Sequence, residues 1–297
     1  MSVAFVTDST ADLRADLVMA RGIEVVPLTV TLDGKDYRDG VDITAAEFYE
    51  RLRPNSTTST SQPSPALFAE TYKALLRDHD EVLSLHIAER LSGTLASAQQ
   101  AAAEVGEGRV HVVDSKVVSM ALGLLCLVAT AVLEEGGDAQ EAIAEVERVR
   151  DSLRAYFTVG TLEHLRRGGR IGRASEMLGS VLQIKPVLML SPDGEVAPLE
   201  RVRTRERALA RVMELVRGVD TGQGLCAIVA HAAAEDTAER FARDLDGVTD
   251  TLLVQPLGPV VGAHAGPGTV GVACYPAELF RLGIKLSEQV VGVPAKS

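Results

Sequence analysis

The triplet Ser92-Gly93-Thr94 has the residue types of an anion-binding turn. It follows an apolar run that predicts a strand and precedes an Ala-rich run that predicts a helix. At such a junction, hydroxyls, free backbone N–H groups and the positive end of a helix dipole converge. An ordinary helix N-cap is the simpler explanation of the same residues. The chain contains neither GxxxxGKS/T nor GxGxxG, so the usual sequence signature of a nucleotide site is missing.

A second candidate is His264, which lies in a Gly- and Pro-rich segment with Gly266 two residues further on. Glycine lets a ligand approach the backbone closely, and an imidazole can donate to an anion or act as a base. A turn histidine that satisfies only local backbone groups is the alternative. The histidines and cysteines show no HExxH, facial-triad or CxxC spacing, so we predict no metal site.

Arginines are concentrated in two segments of a chain whose net charge is −11. One segment, residues 165–173, contains Arg170, and the other, residues 201–207, contains Arg203. Guanidinium groups suit carboxylates and phosphates. Solvated faces with internal ion pairs are the usual alternative. Two basic clusters against an acidic background favour an acidic partner or a phosphate.

A hydrolase is the rival interpretation, with Ser92 and His264 completed by Asp8 or Asp114. A nucleophile elbow would have the sequence GxSxG, and Ser92 has no Gly two residues before it. Hydroxyl-rich loops without a base-orienting pair are more typical of hydrogen bonding to a bound group than of nucleophilic catalysis.

The first half predicts βαβ units and a mostly parallel sheet, because strands alternate with helices. Polar turns at Asp8-Ser9, Ser92-Gly93 and Asp114-Ser115 follow predicted strands, at the edge where such sheets bind ligands. The predicted strands are residues 3–7, 24–32, 82–87 and 109–113. The predicted helices are residues 44–53, 65–78, 94–105, 117–133 and 138–154. The hydroxyl-rich residues 54–65 predict a loop.

The second half predicts an α+β arrangement. Its predicted strands are 156–160, 186–190, 195–202, 225–230, 251–255 and 270–274, of which 186–190 and 195–202 form a hairpin. Helices are predicted at 162–167, at 204–217 and between the strands 225–230 and 251–255, and a turn at 258–268. The predicted fold class is therefore α/β with two domains. Residues 1–158 form a Rossmann-like, mostly parallel sheet domain and residues 159–297 a smaller α+β domain.

Composition excludes several classes of protein. A pI near 5.1 and 4% aromatic residues argue against nucleic-acid binding. Residues 117–133 carry no charge, and we interpret them as a helix buried in the protein, with no integral membrane insertion. The three cysteines are far apart in the sequence, which predicts buried thiols. The N-terminus has no basic region before an apolar stretch, and together the two features predict a cytoplasmic protein.

Eight short motifs, in order, resemble the DegV family of fatty-acid-binding proteins over essentially the whole length. They are Thr7-Asp8-Ser9, Thr60-Ser61-Gln62-Pro63-Ser64, Leu91-Ser92-Gly93-Thr94, Asp114-Ser115, Gly168-Gly169-Arg170-Ile171, Lys185-Pro186-Val187-Leu188, Arg201-Val202-Arg203-Thr204-Arg205, and Gly258-Pro259 through His264-Ala265-Gly266-Pro267-Gly268.

The resemblance implies one long-chain fatty acid in an apolar tunnel between the domains. Thr60, Ser92 and His264 occupy the positions that hold its carboxylate. Further residues match positions that contact the head group, a phosphate or a kinase: Ser61, Gly93, Thr94, Arg170, Arg203 and Gly266. Ala265 stands where many relatives have Thr, beside His264.

The resemblance also implies a function. The chain would present its fatty acid to a separate ATP-dependent fatty acid kinase, which makes acyl phosphate for phospholipid synthesis. It would have no cofactor and no activity alone. An acyl hydrolase or acyltransferase using Ser92 and His264 is the alternative, and a regulator that binds no lipid is a third interpretation.

Overall fold

The computed structural model describes residues 2–105, 108–178 and 184–282. The strands are β1 (Val3–Asp8), β2 (Ile23–Val26), β3 (Thr29–Leu32), β4 (Lys35–Arg38), β5 (Thr58–Ser61), β6 (Glu81–His86), β7 (Val110–Asp114), β8 (Arg154–Thr158), β9 (Lys185–Leu190), β10 (Val196–Val202), β11 (Leu225–His231), β12 (Thr249–Pro256) and β13 (Val270–Pro276). The α-helices are α1 (Ala15–Ala20), α2 (Ala45–Arg51), α3 (Pro65–Leu75), α4 (Thr94–Val105), α5 (Met120–Glu134), α6 (Ala139–Ser152), α7 (Glu163–Arg167), α8 (Arg205–Arg217), α9 (Glu235–Asp244) and α10 (Pro259–Ala265). Short 3-10 helices span Ser9–Ala11 and Gly172–Met177.

Three sheets organise these elements. A parallel four-stranded sheet has the order β2-β1-β6-β7, as the alternation of strands and helices predicts. A mixed six-stranded sheet has the order β10-β9-β8-β13-β11-β12, with the predicted hairpin at its β10 edge. A small antiparallel sheet has the order β4-β3-β5. The α/β fold class is confirmed.

The division of the chain at residue 158 stays a prediction. The strand that ends there, β8, is hydrogen-bonded to β13 and β9 and so belongs to the six-stranded sheet.

Three predictions of local structure are wrong. Residues 24–32 form two strands in different sheets, because Pro27 between them lacks a ladder N–H. The predicted loop at 54–65 contains β5, whose backbone pairs antiparallel with β3. The predicted turn at 258–268 contains α10, which begins with Pro259 in the first helical turn and ends at Gly266 with a φ of +77°.

The uncharged segment forms α5, which packs between the four-stranded and six-stranded sheets. Its residues Met120 to Ala131 are all buried, so the predicted helix without a polar face is confirmed. Among the described residues, we find no helix with the length and apolarity needed to cross a membrane. Most of α5 is core that joins the two sheets, which leaves its first turn to face the site described next.

A buried polar network fixes the carboxyl ends of β1 and β6. The Asp8 carboxylate accepts hydrogen bonds from the backbone N–H groups of Thr10 and Ile87, at 3.1 and 3.0 Å. His86 Nδ1 lies 2.9 Å from the same carboxylate, and its Nε2 lies 2.7 Å from Ser84 Oγ. This Asp–His–Ser chain has triad-like distances, but all three side chains are sealed from solvent. It therefore positions the sheet edge rather than a substrate.

Candidate ligand-binding site

An apolar cavity lies between the carboxyl edge of the parallel sheet and the face of the six-stranded sheet. Ile87 follows β6, Met120 begins α5, and Phe157 and Gly271 lie on the paired strands β8 and β13. Aliphatic side chains form most of the remaining wall. The empty space in the cavity, together with the open solvent at its mouth, is about 820 Å³.

Three hydroxyls in the cavity wall already donate their protons inside the protein. Ser119 Oγ donates to the Asp12 carboxylate at 2.6 Å, and Thr269 Oγ1 donates to the backbone oxygen of Ala265 at 2.9 Å. Thr10 Oγ1 donates to the carboxylate of Asp8. Because these protons are used, this part of the wall offers no donor to a ligand and suits a hydrocarbon.

The remaining hydrogen-bond donors of the cavity wall lie at one end of the cavity. Thr60, Ser92, Arg170 and His264 all line the cavity. Thr60 is brought there by β5, and its Oγ1 lies 2.8 Å from His264 Nε2 on α10. Ser92 Oγ lies 2.8 Å from Thr94 Oγ1 and accepts the Thr94 backbone N–H at 3.3 Å. Ser92 thus acts both as a local cap and as a cavity-lining hydroxyl.

His264 is neutral in this environment at pH 7. Burial of the imidazole, and secondarily the charge of Arg170, lower its pKa to about 4. Within the described chain, the buried Nδ1 atom has no hydrogen-bond partner. Nε2 therefore interacts with Thr60, and Nδ1 lies against Gly168.

Arg170 supplies the positive charge at this end, and its guanidinium is held in place. Its Nε donates to the backbone oxygen of Leu91 at 3.0 Å, and Nη1 donates to that of Gly168 at 2.7 Å. Arg170, Thr60 and His264 also line a polar surface groove next to the cavity. The polar end of the cavity is therefore the end that meets the surface.

The structure does not bring every predicted residue to the cavity. Ser61 is exposed on β5, and Thr94 is buried at the start of α4. Gly93 gives room to Gln62, whose Oε1 would lie 2.2 Å from a Cβ at position 93. Gly266 ends α10. None of these four residues lines the cavity. A direct ligand contact for any of them stays a prediction.

Arg203 lies apart from the cavity, in a shallow surface groove with Arg201, Arg207 and Arg211. Arg211 is paired with Glu200 and Glu214. In the described part of the chain, no carboxylate lies within ion-pair distance of Arg203. A contact of Arg203 with a ligand, a phosphate or a kinase stays a prediction.

Sequence reasoning missed several wall residues, including Phe157 and Gly271, and Leu190 and Val196 of the hairpin. Apolar residues in strands are ordinarily core, so no local signal separates them. The rival hydrolase site lacks the contact that it requires. No hydrogen bond joins Ser92 to His264 in the structure, since each has another partner. The described residues contain no group of three side chains that could hold a metal ion.

Comparison with known proteins places these features in a family. A family model described as an uncharacterised protein of the DegV family matches residues 2–277. A DegV domain-containing protein of Streptomyces coelicolor is 42% identical over 275 residues, which cover 91% of this chain and 97% of that protein. One from Deinococcus radiodurans is 43% identical over 280 residues, covering 93% and 99%.

Two solved structures are similar over the same span. A DegV family protein from Thermus thermophilus, described as binding fatty acid, has a TM-score of 0.88 at 41% identity and covers 93% of this chain and 99% of its own. DegV of Bacillus subtilis, described as a fatty acid binding protein, has a TM-score of 0.85 at 31% identity, with the same coverage.

Substitution of Gly168 by Ala should displace the His264 imidazole. A Cβ at position 168 would stand 2.0 Å from His264 Nδ1. We expect the ring to leave Thr60 and its nitrogen resonances to shift in long-range ¹H–¹⁵N spectra. Gly218→Ala is the matched control, because both glycines end a helix with similar φ, −75° and −71°. Equal His264 resonances in the two variants would contradict the geometry.

Proposed function

This chain belongs to the DegV family, and we propose that it binds one long-chain fatty acid, with the carboxylate at the Thr60–His264 end and the acyl tail in the apolar cavity. The observation that carries the proposal is the asymmetry of the cavity. Its wall is apolar or internally hydrogen-bonded, and its remaining donors and one arginine lie at the end that meets the surface. The related structures described as fatty acid binding support the same ligand class.

The polar end of the cavity suits a carboxylate because hydrogen-bond donors and a positive charge lie there together. Burying an ionised carboxylate is costly unless it is hydrogen-bonded and paired. The hydroxyls of Thr60 and Ser92 can donate to its oxygens, and the fixed guanidinium of Arg170 offsets its charge. In the bound state His264 faces the same oxygens, which favours its protonated form.

The tail supplies most of the favourable free energy. Each CH₂ group moved from water into the cavity contributes about 0.8 kcal/mol, so a sixteen-carbon chain gains about 10 kcal/mol before ordering costs. The ligand's hydrocarbon needs no hydrogen-bond partner, which matches a wall where Ser119 and Thr10 already donate inside the protein.

The finer role is that of a carrier. The chain presents its fatty acid to a separate ATP-dependent kinase, which forms acyl phosphate for phospholipid synthesis in the cytoplasm. Two observations support this. The carboxylate end meets a surface groove that includes His164 and Arg167. The exposed Arg203 is free to contact an acidic partner surface. In this role the chain needs no cofactor and has no activity alone.

Direct binding tests the proposal. Purified protein should release one fatty acid per chain on organic extraction, identified by mass spectrometry, or take up added palmitate stoichiometrically. Thr60→Val should weaken palmitate affinity about ten-fold, the worth of one hydrogen bond to a charged group. Thr71→Val is the control, since that hydroxyl donates to the Leu67 backbone oxygen within α3. A protein that neither carries nor takes up fatty acid would overturn the proposal.

Fatty acid binding should take up protons. In the free protein the pKa of His264 is lowered to about 4, mainly by burial, so the imidazole is neutral at pH 6. A bound carboxylate raises this pKa, and affinity therefore increases as the pH falls from 7 toward 5. Isothermal titration at pH 6 in two buffers of different ionisation enthalpy measures the uptake. His264→Gln should abolish it, and an unchanged uptake in that variant would contradict the assignment.

Reversal of charge at Arg203 should affect the kinase step alone. Arg203→Glu should lower acyl phosphate formation by the organism's fatty acid kinase about ten-fold, because a rim charge governs encounter with a partner. Palmitate affinity should stay within two-fold of wild type, since Arg203 does not line the cavity. Arg240→Glu, on the exposed face of α9, is the control. Equal kinase rates for wild type and Arg203→Glu would remove this surface from the carrier role.

A further inference from the structure

The Met120 side chain fills space that a glycine leaves in the opposite wall. Met120 is the first residue of α5 and is 6% exposed. Its Cε lies 2.7 Å from where a Cβ on Gly271 would stand. Phe157, opposite Gly271 on β8, has its Cβ 2.9 Å from the same point. All three residues line the apolar cavity, and the tip of the Met120 side chain lies against the six-stranded sheet at Gly271.

The backbone that carries Met120 is fixed. The preceding residue, Ser119, has a φ of +59°, a conformation that Ser adopts only under constraint. Its N–H donates to the Thr10 backbone oxygen at 2.8 Å, and its hydroxyl donates to the Asp12 carboxylate at 2.6 Å. Thr10 and Asp12, which follow β1, thus hold Ser119 at the start of α5 and fix the position of the Met120 backbone.

The Met120 side chain, by contrast, can move. Methionine is unbranched, with three rotatable bonds and a polarizable thioether, and it adapts to irregular space. Much of the rest of the wall is stiff, because Val118, Val196 and Val260 are β-branched and Phe157 lies on a central strand. An adjustable side chain on a fixed backbone is the arrangement that changes cavity shape without changing the fold.

We propose that Met120 is the specificity-determining residue of the tail cavity, with Gly271 providing the room into which its thioether turns. The inference rests on the proposed function, because it concerns which acyl tails the same cavity accepts. The wild-type side chain turns toward Gly271 for longer or bent tails and back into the cavity for shorter ones.

Competition binding with saturated C14, C16 and C18 fatty acids tests the assignment. Met120→Ala removes the thioether and should raise the preference for C18 over C16 about four- to fifteen-fold, since each newly buried CH₂ is worth about four-fold in affinity. Gly271→Ala should shift the preference the opposite way, because its Cβ pushes the Met120 tip into the cavity. Met213→Ala is the matched control. Met213 is 8% exposed and lies in a separate core cluster that does not line the cavity.

A more conservative change guards against loss of folding. Met120→Leu keeps the volume but is branched and less adaptable, so it should be tolerated. It should change the ratio of affinities for cis-unsaturated and saturated C18 chains at least three-fold. Chain preferences equal to wild type in Met120→Ala and Met120→Leu, or an equal shift in Met213→Ala, would overturn the assignment while leaving fatty acid binding intact. A wild-type protein that binds none of these acids would instead reject the proposed function.

Discussion

In the function we propose, neutralising a carboxylate at the mouth of the apolar cavity is the constraint on which the rest of the site depends. A tail gains free energy from burial wherever the wall is apolar, but the head group is stable only where donors and a positive charge meet it. No single element supplies these groups. Thr60 comes from β5, Ser92 from the turn before α4, Arg170 from the segment after α7, and His264 from α10. The site therefore exists only when these separate elements are assembled around the cavity.

Arg170 and His264 have different electrostatic roles at the polar end of the cavity. Arg170 stays charged and is fixed by two backbone oxygens, so it offers a permanent counter-charge. His264 sits beside that charge in a buried position, and both influences lower its pKa and keep it neutral. A bound carboxylate would have the opposite effect on the pKa of His264, because its negative charge offsets that of Arg170 and favours the imidazolium. In the proposed function, the protonation state of His264 therefore changes when a fatty acid binds.

Part of this arrangement could be predicted from the sequence, and the reasons for the failures are physical. Ser92 was predictable because a polar turn after a strand of a parallel sheet lies at the ligand edge, and His264 because glycines surround it. The strand that carries Thr60 and the helix that carries His264 were not predictable. Both segments are rich in Ser, Thr, Gly or Pro, which are typical of loops, and only their tertiary contacts override this local propensity. The wall was the least predictable part. Phe157 and Gly271 resemble any strand core residues, and only the gap between two sheets makes them a surface for a ligand.

A crystal structure with a fatty acid brominated at its terminal carbon tests the central claim most directly, because the two ends of the ligand are then distinguished. The account predicts carboxylate density within hydrogen-bond distance of Thr60 Oγ1 and Ser92 Oγ, and an anomalous bromine peak inside the apolar cavity between α5 and the six-stranded sheet. A bromine peak beside Thr60 and His264, or a ligand bound outside the cavity, would contradict it.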